Sequence, residues 1–318
     1  MPQFLRNLGH YFQRPNHKTK REKTLNFAAI DIGSNAVRLL FSTVTDGADG
    51  VSFHKASLFR MPVRLGSDSF KNGEISKERR RDLVKTMIAY KHLIDVFKVE
   101  DYMACATSAL READNAKDIV DEIREEAGIE LTVIDGELEA ELIYLTHIAE
   151  DLPADRSYLY IDVGGGSTEL TLFRNNNREA SKSFKVGTVR LLENLVEDKE
   201  WKKMEDWIDK HAIPSAPVMA IGTGGNINKI HKIIKRKENP ALTQQMLRDY
   251  KAHLETFTYE ERIDKLGLRP DRADVIVPAS AIYIQVMEWA QIEEMLVPKV
   301  GLADGMVRLM YEKYKKEK

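Results

Sequence analysis

One cysteine, Cys105, is all that the 318 residues contain, so the chain has neither an intramolecular disulfide nor a cysteine-rich zinc site. No apolar run approaches the ~20 residues that a membrane span needs, and the amino terminus lacks the apolar core of a secretory signal. None of the 8 histidines sits in a His-Glu-x-x-His arrangement, so the common zinc-hydrolase signature is missing too. His92 and His147 fall on expected helices and read as packing or surface residues. An excess of one charge is also lacking. Lys and Arg number 48 against 50 Asp and Glu, for a formal net charge of -2. The whole chain therefore exerts no pull on nucleic acid or anionic membrane, and any polyanion site must be a local cluster. These absences describe a cytoplasmic protein with no specific nucleic-acid or membrane partner, long enough for two domains.

What is present begins with a basic leader. Arg6, Arg14, Lys18, Lys20, Arg21 and Lys23 face the single acid Glu22, and residues 1–26 are expected to be flexible. From Phe27 onward, turn residues and hydrophobic periods punctuate the chain. Strands are predicted over Phe27–Ile32, Val37–Val44 and Val51–Arg60. A helix follows from Ser76 to Phe97, with Leu83, Met87, Tyr90, Ile94 and Phe97 at the helical period. Then come a strand over Tyr102–Ala106, a helix ended by Gly128, a strand over Leu131–Ile134 and a helix over Glu137–Ala149. The order starts again with strands over Tyr158–Val163, Glu169–Phe173 and Ser183–Val186, and the chain closes on a helix over Leu302–Tyr314. Each half thus reads strand-strand-strand-helix-strand-helix-strand-helix. The repeat is visible in letters: Ile30-Asp31-Ile32-Gly33 returns as Ile161-Asp162-Val163-Gly164, its glycines 131 positions apart, and Leu39 matches Leu170. Two similar α/β lobes imply a cleft in which like turns face each other.

The two turns suit an anion. Gly33, Ser34 and Asn35 in one, and Gly164, Gly165, Gly166, Ser167 and Thr168 in the other, offer backbone N–H groups free of bulky side chains, with hydroxyl donors at Ser34, Ser167 and Thr168. Neither is a Walker loop, since no Gly-Lys-Ser/Thr follows. Each turn ends a strand bearing Asp. A carboxylate beside phosphate makes sense when a cation joins them, and Mg²⁺ takes one or two carboxylates plus phosphate oxygens and water. Asp162 and Glu169, then Asp31, are the candidate ligands. Gly222-Thr223-Gly224-Gly225 follows a strand and opens a helix, an arrangement that lets a phosphate or nucleotide approach closely. The helix behind it carries Lys229, Lys232, Lys235, Arg236 and Lys237, which read as a solvated basic face.

Eight motifs in order carry a resemblance. They are AIDIGSNAVRLL (29–40), ATSALREA (106–113), DGELEAELIY (135–144), IDVGGGSTEL (161–170), VGTVRL (186–191), IGTGGNINKI (221–230), LRPDRADVIVPA (268–279) and GLADGMV (301–307). Through them the sequence resembles the exopolyphosphatase/guanosine pentaphosphate phosphatase family of the actin-like ATPase and sugar-kinase superfamily. The resemblance implies two actin-like, ribonuclease H-like lobes, each a mixed sheet flanked by helices, with a cleft between. It implies a first domain over 27–137 plus 301–318, a second over 138–300, and a homodimer. Longer members carry a further helical domain, so this chain reads as a short, two-domain member. The implied activity is hydrolysis of the terminal phosphoanhydride of inorganic polyphosphate with release of orthophosphate, assisted by Mg²⁺. The implied alternative is removal of the 5'-terminal phosphate of guanosine pentaphosphate. Glu137, Glu139 and Glu141 are not separable by their residue type and spacing, and register with the family selects Glu139 as the general base. Arg111 is the implied phosphate-binding guanidinium, with Arg190 and Arg272 also in or beside matched motifs, while strand alternation is expected to turn Arg38 away. The sequence departs from the family at Glu141, where many members have Arg, at GLADG and at Gly187-Thr188. Two other classes stay open: a sugar or acetate kinase of the same superfamily, and a noncatalytic sensor of polyphosphate or nucleotide.

Overall fold

Hairpins join the strands that the alternation marks out, and in the computed structural model they build two sheets with one shared strand order. The structure describes residues 23–47, 50–146, 153, 156–175, 177–213, 218–234 and 241–318. The leader ahead of Lys23, His147 and the cluster Lys235, Arg236 and Lys237 lie outside the described residues.

The first half runs β1 (Lys23–Ile32), β2 (Val37–Gly47), β3 (Gly50–Met61), α1 (Leu65–Asn72), α2 (Lys77–Phe97), β4 (Asp101–Ala106), α3 (Ser108–Arg111), α4 (Ala116–Ala127), β5 (Leu131–Val133) and α5 (Gly136–Tyr144). The second begins with β6 (Ser157–Val163), β7 (Thr168–Arg174), β8 (Asn177–Phe184), α6 (Thr188–Leu192), α7 (Asp198–His211), β9 (Val218–Thr223) and α8 (Gly225–Ile234). It continues with β10 (Leu242–Thr243), α9 (Gln244–Glu255), α10 (Tyr259–Asp264), α11 (Pro270–Ala273), α12 (Ile276–Trp289), β11 (Glu294–Leu296) and α13 (Leu302–Glu317). The five-stranded sheet has the order β3-β2-β1-β4-β5, and the six-stranded sheet β10-β11-β9-β6-β7-β8. Reading the second from β8 repeats the first, with β10 added at its edge. In both, the hairpin strands are antiparallel and the later strands join in parallel, except the edge strand β10, which pairs antiparallel with β11. This is the duplicated α/β architecture that the resemblance implied.

Several boundaries follow from local chemistry. Ser76 caps α2 by accepting the Arg79 N–H, and Gly128 ends α4 at a left-handed φ of 63°. The leader ends earlier than expected. β1 starts at Lys23, because β2 runs on to Gly47 and pairs Lys23 with Asp46 and Leu25 with Val44, which buries Leu25. The short helices α1 and α3 were not predicted, since 8 and 4 residues are too few to show a helical period.

Each sheet has an outer face under its own helices. In the first lobe Ile30, Ile32, Leu39 and Phe41 pack with α2 and α4 residues such as Leu83, Met87 and Ile123. On the inner face, Phe27, Ala29, Leu40 and Cys105 meet Met306, Met310 and Tyr311 of α13. Burial pushes the Cys105 thiol up to about 12, so it is inert core. The last helix thus packs on the first sheet, while α5 packs on β7 and β8 of the second. The two helices cross where Gly305 meets the Leu142 carbonyl: a Cβ on Gly305 would sit 1.8 Å from that oxygen. Asp304 of the GLADG segment secures the start of α13, accepting the Gly301 N–H at 2.9 Å and pairing with Lys55 at 2.8 Å.

The lobes are also pinned by charge. Glu112 of the first lobe meets Arg190 at 2.5 Å and Lys185 at 3.3 Å, and the Arg190 guanidinium lies 3.8 Å from the Phe70 ring centroid. Arg64 pairs with Asp274 at 2.6 Å, and Arg60 pairs with Asp271. No helix among the described residues is long and apolar enough to cross a membrane.

The α5–α13 crossing tolerates no side chain at its centre. Gly305→Ala should lower the unfolding free energy in urea by about 2 kcal/mol or more, as overpacking against rigid backbone does. An unchanged transition midpoint would mean that the helices separate freely.

Candidate functional site

The two matching turns close in the same way. Gly33 N–H donates to the Ala36 carbonyl at 3.1 Å, and Gly164 N–H to the Ser167 carbonyl at 2.9 Å. They touch each other: a Cβ on Gly165 would lie 2.9 Å from the Ser34 Cβ, and one on Gly166 would lie 2.4 Å from Ser108 Oγ. The start of α1 is tied to the first turn, with Arg64 N–H donating to the Asn35 carbonyl at 3.1 Å and Gly66 N–H to the Ser34 carbonyl at 2.8 Å. Arg64 holds a left-handed φ of 59° to do this. The turn after β9 joins them. Gly224, at a φ of 117°, would put a Cβ 3.2 Å from Asp162 Oδ1, and Gly225 would put one 3.3 Å from a guanidinium nitrogen of both Arg38 and Arg272.

Not every predicted binding residue serves the groove. Gly222 makes room in the core, since a Cβ there would be 2.2 Å from Met295 Sδ. Thr168 is fully buried and donates its hydroxyl to the Val186 carbonyl at 2.5 Å, so it is no ligand donor. Ser34 Oγ lies 2.9 Å from Ser108 Oγ, and Ser167 hydrogen-bonds Glu169. Asn35 Nδ2 donates to the Asp271 carbonyl at 2.8 Å, leaving its buried Oδ1 without a partner. Arg190 braces the glycine turn from behind, donating from Nε to the Gly166 carbonyl at 2.7 Å.

Beside the turns lie four acids. Asp135 caps α5 by accepting the Leu138 N–H at 2.8 Å. This sets Glu139 in the first turn, and the structure separates the three glutamates: Glu137 and Glu141 are exposed, whereas Glu139 is only 8% exposed. Arg111 donates to the Ile134 carbonyl at 2.7 Å, and its Nη1 lies 3.8 Å from Glu139 Oε2, an ion pair too long for a hydrogen bond. That buried oxygen has no hydrogen-bond partner. Burial pushes the Glu139 carboxyl well above its ordinary range, and the charges of Glu169, Asp162 and Asp31 push it further against the opposing pull of Arg111. Asp162 is raised to about 7 by burial and by Glu169, with Arg38 pulling the other way. Glu169 is raised by burial, against hydrogen bonds from Ser167 and from Ser183, whose Oγ donates to Oε1 at 2.8 Å.

Hairpin register explains the pairing. Asp162 stands opposite Glu169, and Asp31 stands opposite Arg38. Directly opposed residues project from the same face of a sheet, so Arg38 turns toward Asp31, at 3.0 Å, and not away from the groove as expected. Arg38 in turn stands opposite Arg60 across β2 and β3. With Arg269 and Arg272 they form a partly buried cationic cluster around Asp271, in which burial and neighbouring guanidiniums lower Arg272 to about 10. Sequence reading missed Arg60 and Arg269. Only the pairing of β2 with β3, which no motif announces, places Arg60 beside Arg38.

Among the described residues, no three His, Cys, Asp or Glu side chains converge on one point. A metal caged by protein alone is therefore not built. The opposed pair Asp162 and Glu169, both raised chiefly by burial, does fit a Mg²⁺ ion that completes its shell with phosphate oxygens and water.

Comparisons with known proteins bear on this arrangement. The profile of the Ppx/GppA phosphatase family matches residues 44–314. Exopolyphosphatase 1 of Mycobacterium tuberculosis is 26% identical over 303 residues, covering 89% of this chain and 87% of that protein. The guanosine-5'-triphosphate,3'-diphosphate pyrophosphatase of Aliivibrio fischeri is 25% identical over 293 residues, covering 88% of this chain and 58% of that protein. The crystal structure of the Aquifex aeolicus member of the Ppx/GppA family superposes with a TM-score of 0.70 at 25% identity, covering 92% of this chain and 99% of that one.

The raised acids set a pH dependence. Asp162 titrates near 3.8 when unfolded and near 7 when folded, so the folded state holds the extra proton between these values. Stability should then fall as pH rises from about 4 to about 7. In urea melts with chelator present, Asp162→Asn should lose less stability than the parent between pH 5 and pH 8, and Mg²⁺ should restore the parent at pH 8. Identical pH slopes for the two proteins would contradict the burial of this charge.

Proposed function

Because the chain belongs to the Ppx/GppA phosphatase family, we propose that it hydrolyses the terminal phosphoanhydride of inorganic polyphosphate and releases orthophosphate. The observation that carries the reading is the buried, unpartnered Oε2 of Glu139, which lies among acids where the turns of the two lobes meet. A buried carboxylate oxygen left unsatisfied is costly. A water molecule donating to it would relieve that cost and would be the nucleophile. A carboxylate held above its ordinary range is also the stronger base, suited to accept that water's proton. Arg111, anchored by its hydrogen bond to the Ile134 carbonyl, stands near Glu139 and pulls against its protonation.

The phosphate chain would lie against the glycine turns and the arginine cluster. Arg38 and Arg272 reach the Gly225 turn from opposite lobes, so an anion there engages both. Asp162 and Glu169 are the residues that would hold Mg²⁺, and the ion, when bound, offsets the charge gathering on the phosphoryl oxygens. Positioning and electrostatics are most of what phosphoryl transfer needs. The relative in Aliivibrio fischeri is named for guanosine-5'-triphosphate,3'-diphosphate, whose terminal phosphoanhydride is the same bond, and it is the second substrate to assay.

Orthophosphate release should be measured from long polyphosphate, guanosine pentaphosphate and ATP, with and without Mg²⁺. Glu139→Gln should cut turnover by about 10²–10⁴-fold while polyphosphate still binds. Binding and turnover lost together would remove Glu139 as the base. ATP converted to ADP only when a sugar or acetate acceptor is present, with the phosphoryl group found on that acceptor and not as orthophosphate, would make the protein a kinase, and tight binding without turnover in the parent would make it a sensor.

A further inference from the structure

Three successive carbonyls of the second glycine turn are held by one short stretch of chain. Thr188 N–H donates to the Gly164 carbonyl at 3.0 Å, Val189 N–H to the Gly165 carbonyl at 2.8 Å, and Arg190 Nε to the Gly166 carbonyl at 2.7 Å. Gly187 permits this approach, since a Cβ there would sit 2.4 Å from the Gly165 carbonyl oxygen. In a planar trans peptide the N–H points opposite to the C=O. Carbonyls held toward α6 therefore turn the N–H groups of Gly165, Gly166 and Ser167 away from it. Among the described residues no backbone carbonyl accepts any of these three N–H groups, and a row of such donors is what an anion binds.

The first lobe holds its turn with backbone groups: Gly66 N–H takes the Ser34 carbonyl and Arg64 N–H the Asn35 carbonyl. The third carbonyl of the second turn is held differently, by a side chain that is itself anchored in the other lobe. Arg190 is 7% exposed. Its Nη2 meets Glu112 at 2.5 Å, and its guanidinium lies 3.8 Å from the Phe70 ring centroid, both residues of the first lobe. Lobe contact thus bears on Arg190 from one side, and the Gly166–Ser167 peptide hangs on it from the other. With two nitrogens and one face engaged by protein, the guanidinium orients a phosphate donor and is not one itself.

We propose that Arg190 is a positioning residue that, anchored across the lobe boundary by Glu112, fixes the Gly166–Ser167 peptide so that the Ser167 N–H points at a bound phosphate. The inference rests on the reading of the glycine turn as a phosphate site. Backbone donors stay in place as long as α6 stands, whereas the Arg190 bond also needs its anchor. Phosphate at Ser167 and the Glu112–Arg190 contact therefore favour each other, by the reciprocity of linked equilibria. The lobe that lacks the turn thereby helps to set the affinity of the turn.

The chain contains three Gly-Ser peptides, 33–34, 66–67 and 166–167. Labelling the glycine carbonyl carbon and the serine amide nitrogen reduces the nuclear magnetic resonance spectrum of the full chain to three amide signals. Inorganic tripolyphosphate, added with chelator present, is the probe; calorimetry gives its affinity, and thermal melting is run alongside. In the parent the Ser167 signal should move on addition. The Ser67 N–H donates to the Arg64 carbonyl at 3.2 Å, and its signal is the reference. Arg190→Met should displace the Ser167 signal before any ligand is added and weaken tripolyphosphate binding about 10-fold, as loss of one hydrogen bond to a charged group does. Glu112→Ala should change both in the same direction, and adding it to Arg190→Met should cost little more, because the two act as a unit. Lys185→Met removes the other Glu112 pair, 3.3 Å long, and should bind like the parent. A normal response in the parent, with signal and affinity unchanged in Arg190→Met and Glu112→Ala, overturns the positioning role and leaves the turn as a phosphate site. A loss in Lys185→Met as large as in Arg190→Met overturns it too, by tracing the effect to lobe pinning in general. A Ser167 signal that ignores tripolyphosphate in the parent overturns both the role and the phosphate reading of the turn. Should Arg190→Met melt too low to assay, Glu112→Ala decides alone, since a purely structural role lowers its melting temperature and leaves the Ser167 signal and the affinity intact.

Discussion

Mutual repulsion among Asp31, Glu139, Asp162 and Glu169 is the constraint around which the rest is arranged. Each of these carboxylates is at least partly withdrawn from water, and Glu139 takes the combined field of the other three. Such a cluster is tolerable only where positive charge is supplied or a proton is retained. Protein groups supply part of it: Arg38 neutralises Asp31, and Arg111 stands near Glu139. Among the described residues the opposed pair Asp162 and Glu169 forms no ion pair of its own, and Arg38 and Arg111 offset its charge only from a longer range. The deficit is local and directional, in a protein whose net charge is close to zero.

Duplication explains how that asymmetry arose from a symmetric frame. The two hairpins match in turn geometry and strand order, yet the position that is Arg38 in one is Glu169 in the other. One exchange converts an ion pair into an acid pair. The first lobe then contributes Arg38 and Arg60 to the groove, while the second contributes the acid pair together with Arg269 and Arg272. A site built across the lobes depends on how they are held. The crossing of α5 and α13 at Gly305, the Glu112 pairs on one flank and the Arg60–Asp271 and Arg64–Asp274 pairs on the other all fix that relation.

Glu139 shows how the scaffold governs chemistry. It belongs to a helix packed on the second sheet, yet its partner Arg111 comes from the first lobe. Small changes between the lobes therefore alter the field on Glu139. Ser183 acts similarly on Glu169, and it also packs against Gly136 at the start of α5, where a Cβ would sit 2.8 Å from the Ser183 Cβ.

Much of this was legible in the residues. Period-two and helical spacing located most elements, the repeated Ile-Asp-Ile/Val-Gly exposed the duplication, and the glycine turns pointed to phosphate. Local patterns are readable because a strand's alternation and a turn's φ values are settled within a few residues. The leader's boundary was misjudged because Lys23–Asn26 become strand only by pairing with the far end of β2. The orientation of Arg38, the membership of Arg60 and Arg269, the inward duties of Gly222 and Thr168, and the choice of Glu139 over its two neighbours were all beyond local reading. These depend on register between strands and on burial between lobes, which bring together charges from distant parts of the chain. Sequence alone determined two like lobes with matching glycine turns. Tertiary structure decided which carboxylate loses its water and its partner, because desolvation and Coulomb energy depend on distances in space, not along the chain.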